Sequence, residues 1–297
     1  MTVMIALVGG QPLPNLLPVR HYNPAAVLLI YTESTQPVYK RLLTALQEGS
    51  QVFGLKTDAY DIAVIERQID QKLHDDKLFD QSLVFNLTGG TKPMSIAAYQ
   101  VAQRYQSKLL YLESEGKQSR IYHYAFQEDQ LQATSNELLP PCVTLKDFLD
   151  VHLGTDAWHE QGPSRSGGGG SFETALEAGL KPHVDEIMVG VSAMQGQIDL
   201  DVVVRLANQF AIFEAKSGNN GTKLDGIKQL STASKYLGTF TRQFYVITVT
   251  PSRSHEAIVE ASRIRVVSLP NYIAGSSALS VDDTAQLIEV VVKSLQG

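Results

Sequence analysis

Residues Ile198 to Lys216, Ile-Asp-Leu-Asp-Val-Val-Val-Arg-Leu-Ala-Asn-Gln-Phe-Ala-Ile-Phe-Glu-Ala-Lys, constrain this 297-residue chain more than any other stretch. They read as two adjacent strands joined by a polar break at Ala207-Asn208-Gln209. The first strand carries Asp199 and Asp201, then turns apolar through Val202, Val203 and Val204. The second begins at Phe210 and ends in Glu214-Ala215-Lys216. Side chains two apart on a strand share a face, so Asp199 points with Asp201, and Glu214 with Lys216. An apolar hairpin then presents carboxylates and one ammonium at its end. Hard divalent cations take oxygen ligands of that kind. A cation held there can generate hydroxide and offset the charge of a phosphodiester displacement, while a lysine beside it orients the nucleophile or neutralises developing charge. The plainer alternative is a charged strand end facing solvent.

Charge bears on whether such a site meets nucleic acid. The chain carries 25 Lys and Arg against 31 Asp and Glu, a net charge of −6, so it is not a globally basic nucleic-acid binder. The segment from Arg205 to Arg265 departs from this balance, with nine Lys or Arg against four Asp or Glu. Affinity for a polyanion is expected there, modest and salt-sensitive. Cys142 is the only cysteine, which excludes an intrachain disulfide and a cysteine-rich zinc site. No basic, apolar leader opens the sequence and no apolar run is long enough to span a membrane. The expectation is a soluble cytoplasmic protein without membrane contact.

The first half alternates strands and helices. Val3–Val8, Ala25–Tyr31 and Ser82–Leu87 read as buried strands, Pro37–Glu48 and Asp61–Leu73 as amphipathic helices, and Lys108–Glu113 and Ile121–Phe126 as further strands. Gly9 to Asn15 reads as a loop. This order predicts a parallel, doubly wound sheet, in which ligands bind beyond the carboxyl ends of the strands. The loop from Asn86 to Ser95 stands out. Gly89 and Gly90 allow close backbone approach, Pro93 suits a first helical position, and threonines, Lys92 and a helix N-terminus together suit a phosphate. The spacing is not that of a P-loop. A plain strand-to-helix turn is the alternative.

Three segments, Leu7-Val8-Gly9-Gly10-Gln11-Pro12-Leu13-Pro14-Asn15, Leu28-Leu29-Ile30-Tyr31-Thr32 and Asn86-Leu87-Thr88-Gly89-Gly90-Thr91-Lys92-Pro93-Met94, together resemble a CARF domain. With the Asp…Glu-x-Lys hairpin, the chain is similar to the type III CRISPR ancillary nucleases that join one CARF domain to a PD-(D/E)xK nuclease. The resemblance implies an α/β fold: an N-terminal Rossmann-like CARF domain and a C-terminal restriction-endonuclease-like domain. It also implies a homodimer that binds cyclic oligoadenylate, most often cyclic tetra-adenylate, across its two-fold axis. Ligand contacts are expected from Gly9, Gly10, Gln11, Pro12 and Asn15 after the first strand and from Tyr31, Thr32 and Ser34 after the second. Asn86, Thr88, Gly89, Gly90, Thr91 and Lys92 complete the set.

By the same resemblance Asp201 and Glu214 hold Mg²⁺ or Mn²⁺, Lys216 is catalytic, and Asp199 is the acid that precedes the motif aspartate. Ala215 stands where the family commonly has cysteine. Gly154 to Ser171 has the composition of a flexible linker, native or engineered, so the expected domains are 1–154, a linker at 155–171, and 172–297. The family opens its nuclease domain with Gly-Gly-aromatic-Leu-Glu. Gly169-Gly170-Ser171-Phe172-Glu173 departs from it at Ser171 and Phe172 but aligns Glu173, the expected third acid for catalysis and metal. Glu177, one turn along, is the alternative, and charge at a helix N-terminus is the structural reading of Glu173. Leu145–Leu153, Lys223–Tyr236 and Thr284–Leu295 are expected helices, with Leu224, Ile227, Leu230 and Ala233 inward on the second and Gln229 near the metal. The substrate is DNA, single-stranded RNA or both. A silent sensor that recruits a partner, and a CARF domain that degrades its own ligand, are the competing functions. His-Glu-x-x-His, Gly-x-Ser-x-Gly and Gly-x-Gly-x-x-Gly patterns are all absent from their expected places.

Overall fold

The computed structural model describes residues 1–115, 118–165, 169–223, 225–251 and 263–296, and it divides into two compact units, Met1–Val143 and Thr144–Gly297. In the first unit the chain runs β1 (Thr2–Leu7), α1 (Leu13–Tyr22), β2 (Ala26–Tyr31), α2 (Gln36–Leu46), β3 (Gln51–Lys56), α3 (Ile62–Asp75), β4 (Ser82–Asn86), α4 (Lys92–Arg104), β5 (Lys108–Glu115), β6 (Gln118–Gln127) and β7 (Gln130–Leu138). The sheet order is β3-β2-β1-β4-β5-β6-β7. Strands β3 to β5 are parallel, whereas β5-β6-β7 form an antiparallel meander, so the sheet is mixed rather than wholly parallel. Val3, Ile5, Leu7, Leu28, Ile30 and Phe85 pack under Ile65, Ile69 and Leu73 of α3 and Met94, Ala97 and Val101 of α4. Near-continuous apolar strands of this kind need helices on both faces.

Two strands and a helix escape the periodicity argument. Edge strand β3 is only half-buried and contains Gly54, and β7 is mostly exposed and polar. Helix α1 occupies residues expected to be loop. Pro14 stands in its first turn, where no hydrogen-bond donor is needed. Pro18 lies inside it and leaves the carbonyl of Pro14, four residues back, without its helical partner. Asn86 Nδ2 donates to that carbonyl at 2.8 Å. A side chain from the neighbouring strand thus completes a helix whose own sequence cannot.

The second unit contains α5 (Leu145–Leu153), β8 (Trp158–Glu160), α6 (Gly169–Leu180), β9 (Glu186–Ala193), β10 (Ile198–Leu206), β11 (Gln209–Lys216), α7 (Asp225–Leu237), β12 (Arg242–Ile247), β13 (Ile264–Ser268) and α8 (Val281–Gln296). Its sheet order is β13-β12-β11-β10-β9-β8. Strands β8 to β11 are antiparallel, and β11, β12 and β13 are parallel. Phe172, Leu176 and Leu180 of α6 and Leu287, Val291 and Leu295 of α8 cover one face over Val202, Val204, Phe213, Phe244 and Val246. Ile227, Leu230 and Ala233 of α7 are buried as expected; Leu224 lies outside the described residues.

The boundary between the units falls earlier than the sequence suggested. Helix α5 belongs to the second unit, where Phe148 stacks on Phe210 with ring centroids 4.1 Å apart and Leu145 N donates to Glu186 at 2.8 Å. Residues 155–171, expected as a linker, carry β8, paired with β9 at Trp158↔Ala193, and the start of α6; Ser166, Gly167 and Gly168 lie outside the described residues. Glycine there serves close packing, since a Cβ on Gly170 would sit 1.9 Å from the Ser164 carbonyl oxygen. Among the described residues no helix is long and apolar enough to cross a membrane.

Candidate active site and ligand loops

The β10–β11 hairpin turns through Ala207 and Asn208, with Ala207 at φ +54°. Its register, Val202↔Phe213 and Val203↔Ile212, sets Asp201 across from Glu214 one step further on. Asp199, Asp201, Glu214 and Lys216 all line one cleft of about 960 Å³. Glu173 of α6 reaches the same cleft, as do Lys223, Asp225 and Gln229. Helix and hairpin thus bring these residues together in space. Glu177 does not line the cleft and is held by Lys181 at 3.3 Å.

Burial dominates the electrostatics. The Glu214 side chain is 2 % exposed and contacts the Lys216 ammonium, yet its Oε1 has no hydrogen-bond partner of good geometry. Burial, then the nearby Asp201 charge, raises the Glu214 pKa. Burial also raises Asp201, whose Oδ2 accepts from Ala215 N at 2.6 Å and lies 3.6 Å from Lys216 Nζ. Glu173 is raised by burial too and accepts from Ser164 N at 2.8 Å. Burial works against the Lys216 charge, but the facing Asp201 and Glu214 outweigh it and raise the lysine pKa. The lysine thus compensates two crowded carboxylates.

Among the described residues no three His, Cys, Asp or Glu side chains form a ready-made metal cage. The donor chemistry nevertheless fits a hard divalent cation: carboxylates only, partly stripped of water, with one buried oxygen, Glu214 Oε1, met by the Lys216 ammonium but by no hydrogen bond of good geometry. A cation there would satisfy that oxygen and reverse the cost of ionising the pair.

Three parts of the site were not legible beforehand. Gly226 lies where a Cβ would meet Tyr245 Cε2 at 2.4 Å and Glu214 Cγ at 2.9 Å, so α7 seats directly on the carboxylate. Tyr245 is fully buried and donates to the Lys223 carbonyl at 2.9 Å. Arg165 lines the cleft from within the supposed linker. A single glycine on an amphipathic helix carries no signal of its contacts, and a linker reading discards its charges.

In the first unit, β2 and β4 flank β1, and the strand order reverses between β1 and β4, the place where such sheets bind ligands. The Gly9-Gly10 and Gly89-Gly90 turns meet there. A Cβ on Gly89 would lie 1.9 Å from Leu7 O, and one on Gly9 would lie 3.2 Å from Gly90 N. Several residues expected to contact a ligand also build the loops. Asn15 and Asn86 are both 0 % exposed. Asn15 Nδ2 donates to Leu7 O at 3.0 Å, and Asn86 Oδ1 accepts from Thr88 N at 3.1 Å and Thr88 Oγ1 at 2.7 Å. Thr88 Oγ1 also accepts from Leu112 N. Thr91 caps α4 at Met94 N, 3.3 Å, and donates to Ala59 O at 2.6 Å. Thr32 is buried among Ser34 and Thr35 hydroxyls, Tyr31 stacks on Tyr39, and Pro12 is buried at the N-terminal end of α1. Gly10, Ser34 and Lys92 are exposed, and Gln11 and Gly90 half-buried, so the outward-facing groups are the glycine turns with Gln11, Ser34 and Lys92.

Residues 3–148 match the Card1 CARF domain family. No curated protein matches the chain in sequence. In fold the chain is similar to Can2 from Sulfobacillus thermosulfidooxidans in complex with cyclic tetra-adenylate, with a TM-score of 0.76, 15% identity and 100% of each chain covered. It is also similar to protein VC1899 from Vibrio cholerae, with a TM-score of 0.75, 13% identity, and 100% of this chain and 98% of that one covered. A type III CRISPR defence DNA nuclease activated by cyclic oligoadenylate gives a TM-score of 0.66 at 13% identity; 97% of this chain matches, but only 51% of that one. Residues 3–148 therefore belong to the Card1 CARF family, and the chain as a whole shares a two-domain α/β fold with Can2.

Proposed function

We propose that this protein is a metal-dependent nuclease of type III CRISPR antiviral defence, acting in the cytoplasm as a homodimer and switched on by a cyclic oligoadenylate, cyclic tetra-adenylate first. The observation that carries the reading is the convergence of Glu173, Asp201, Glu214 and Lys216 on one cleft in a chain whose other unit is a CARF domain. This arrangement supports reading the cleft as a PD-(D/E)xK centre. Support for the activator comes from the cyclic tetra-adenylate bound by Can2 and from the activator of the CRISPR defence nuclease.

Asp201 and Glu214, with Glu173 beside them, would hold Mg²⁺ or Mn²⁺. Bound there, the ion supplies a Lewis acid that lowers the pKa of water and offsets phosphorane charge. The chain's own residues do the rest. Burial keeps Glu214 and Asp201 in fixed positions, and Ala215 N orients one Asp201 oxygen. Lys216 keeps its proton between them and is placed to stabilise the attacking oxygen or the developing phosphate charge. Ligand in the CARF unit favours the cutting-competent population of the dimer.

The test is cleavage of supercoiled plasmid and of labelled single-stranded RNA with Mn²⁺, with and without cyclic tetra-adenylate, using Glu214→Ala protein as control. Ligand-dependent cutting that the substitution abolishes is the expected result. Ligand-independent cutting would keep the nuclease and remove the switch. No cutting with tri-, tetra- or hexa-adenylate rings would leave a sensor. Loss of the ring itself in Lys216→Ala protein would reveal ligand degradation by the CARF unit.

A further inference from the structure

We propose that the cleft grips a polynucleotide strand through two cations fixed on either side of the carboxylates, Arg165 and Lys223, and that Glu173 is the positioning residue for the first. This deepens the nuclease reading and rests on it.

Residues Gln161 to Arg165 form a strap over the β9 side of the sheet. Gln161 N donates to Gly190 O at 2.8 Å and Gly162 N to Val189 O at 3.1 Å. Two glycines make the strap possible. Gly190 has φ +68° inside β9, and a Cβ there would lie 2.1 Å from Gly162 O; Gly170 gives the same close passage to Ser164 O. Positive φ within a strand is costly for any other residue. The Glu173 carboxylate then takes Ser164 N at 2.8 Å. Every turn of the strap is thus tied down before Arg165, which lines the cleft.

The other side is built with equal care. Buried Tyr245 of β12 holds the Lys223 carbonyl, and Lys223 lines the cleft with only the neutral Asn220 amide at 3.1 Å from its Nζ. Lys216 is engaged by Asp201 and Glu214, whereas neither Arg165 nor Lys223 makes an ion pair among the described residues. A floor of carboxylates repels a polyanion, so a strand crossing it needs cations where it enters and leaves. The strap continues β8 along the outer edge of β9, so from it to β12 is four strand spacings, about 19 Å. That spans roughly five to six nucleotide steps at about 3.4 Å each. The contacts go to phosphates, which carry no sequence information. The substrate class is therefore a polynucleotide held by its phosphates, and a mononucleotide or dinucleotide would not bridge both cations.

The experiment measures KM, kcat and the salt dependence of cutting for full-length protein with Mn²⁺ and activator. Arg165→Ala and Lys223→Ala are each expected to raise KM about tenfold with little change in kcat, and to lower the log–log salt slope by about 0.7, one phosphate on a single strand. Glu173→Ala, which also removes a carboxylate from the proposed metal set, should raise KM as Arg165→Ala does and lower kcat as well. Glu173→Gln, whose amide oxygen still accepts from Ser164 N, should restore KM. Unchanged KM and slope in Arg165→Ala and Lys223→Ala would overturn the grip. A Glu173→Gln protein whose KM stays as high as that of Glu173→Ala would overturn the positioning role. If the wild type cuts nothing, the nuclease reading fails by itself. The grip is then read from fluorescence anisotropy of a labelled single strand, where both alanine variants must still weaken binding.

Discussion

Replacing Glu214 with glutamine is expected to stabilise the protein in EDTA at pH 8 while abolishing cleavage. The side chain is 2 % exposed, and its Oε1 is met by the Lys216 ammonium. Burial, reinforced by the Asp201 charge, pushes its pKa from 4.5 to about 8. The fold therefore holds this proton more tightly than the unfolded chain does. Its contribution to stability is present in full below about pH 4.5 and is lost as the pH rises through about 8. A difference of that size is worth about 5 kcal/mol at most. The Lys216 ammonium, itself favoured by the two carboxylates, offsets part of it, and removing one member of a buried pair has its own cost. A net gain of about 2 kcal/mol remains for glutamine, which keeps the shape without the charge. For a unit of about 150 residues, that is roughly 4–8 °C in melting temperature. Thermal unfolding of both proteins at pH 5 and pH 8 measures it. The curves should nearly coincide at pH 5, where glutamic acid is mostly protonated, and separate at pH 8. A glutamine variant that melts lower at pH 8, or follows the wild-type pH dependence, would refute the view that ionised Glu214 is a destabilising group kept for chemistry.

The loops of the CARF unit and the seat of α7 give three further predictions. Gly89→Ala forces a Cβ to within 1.9 Å of a backbone carbonyl, so the turn must move; cyclic tetra-adenylate affinity measured by calorimetry should fall at least tenfold, about 1.4 kcal/mol. Asn86→Ala removes the amide that serves Pro14 O and Thr88, leaving buried groups unpaired at a cost of about 2–3 kcal/mol, visible as a lower denaturation midpoint of the first unit. Gly226→Ala drives a methyl into Tyr245 and Glu214; the overpacking costs about 1–3 kcal/mol, and cleavage should drop by an order of magnitude with ligand affinity unchanged.

How far the sequence showed the site depends on where each residue's partners lie. The hairpin was legible because its alternation is local: Asp199, Asp201, Glu214 and Lys216 share a face by strand geometry alone, and the observed register needs no distant contact. Helix α4 was legible for the same reason, with Thr91 capping and Pro93 in the first turn. Helix α1 was hidden because its proline problem is solved by Asn86, 72 residues from the carbonyl it serves. The strap at Gln161–Arg165 was hidden because glycine's meaning there is Gly190 and Gly170 yielding space to carbonyls, which composition registers only as flexibility. Edge strand β7 lacks the apolar face that alternation detects.

The same asymmetry separates the two groups of candidate residues. An amide or hydroxyl in a loop is easily consumed by architecture, since any nearby backbone group satisfies it. Asn15, Asn86, Thr88 and Thr91 are all used in that way, so a match at those positions reports the shape of the turns and the ligand is left to the surfaces they shape. A carboxylate crowded against other carboxylates is different. Glu214 is buried beside Asp201, and Lys216 and the Ala215 N–H compensate them only in part, which leaves both acids with raised pKa values. Nothing in the packing of β10 and β11 benefits from that charge, because Val202, Val204 and Phe213 already form the core beneath it. A group that the fold must spend stability to keep calls for something that binds there, and the proposed nuclease supplies it in a divalent cation and a phosphodiester.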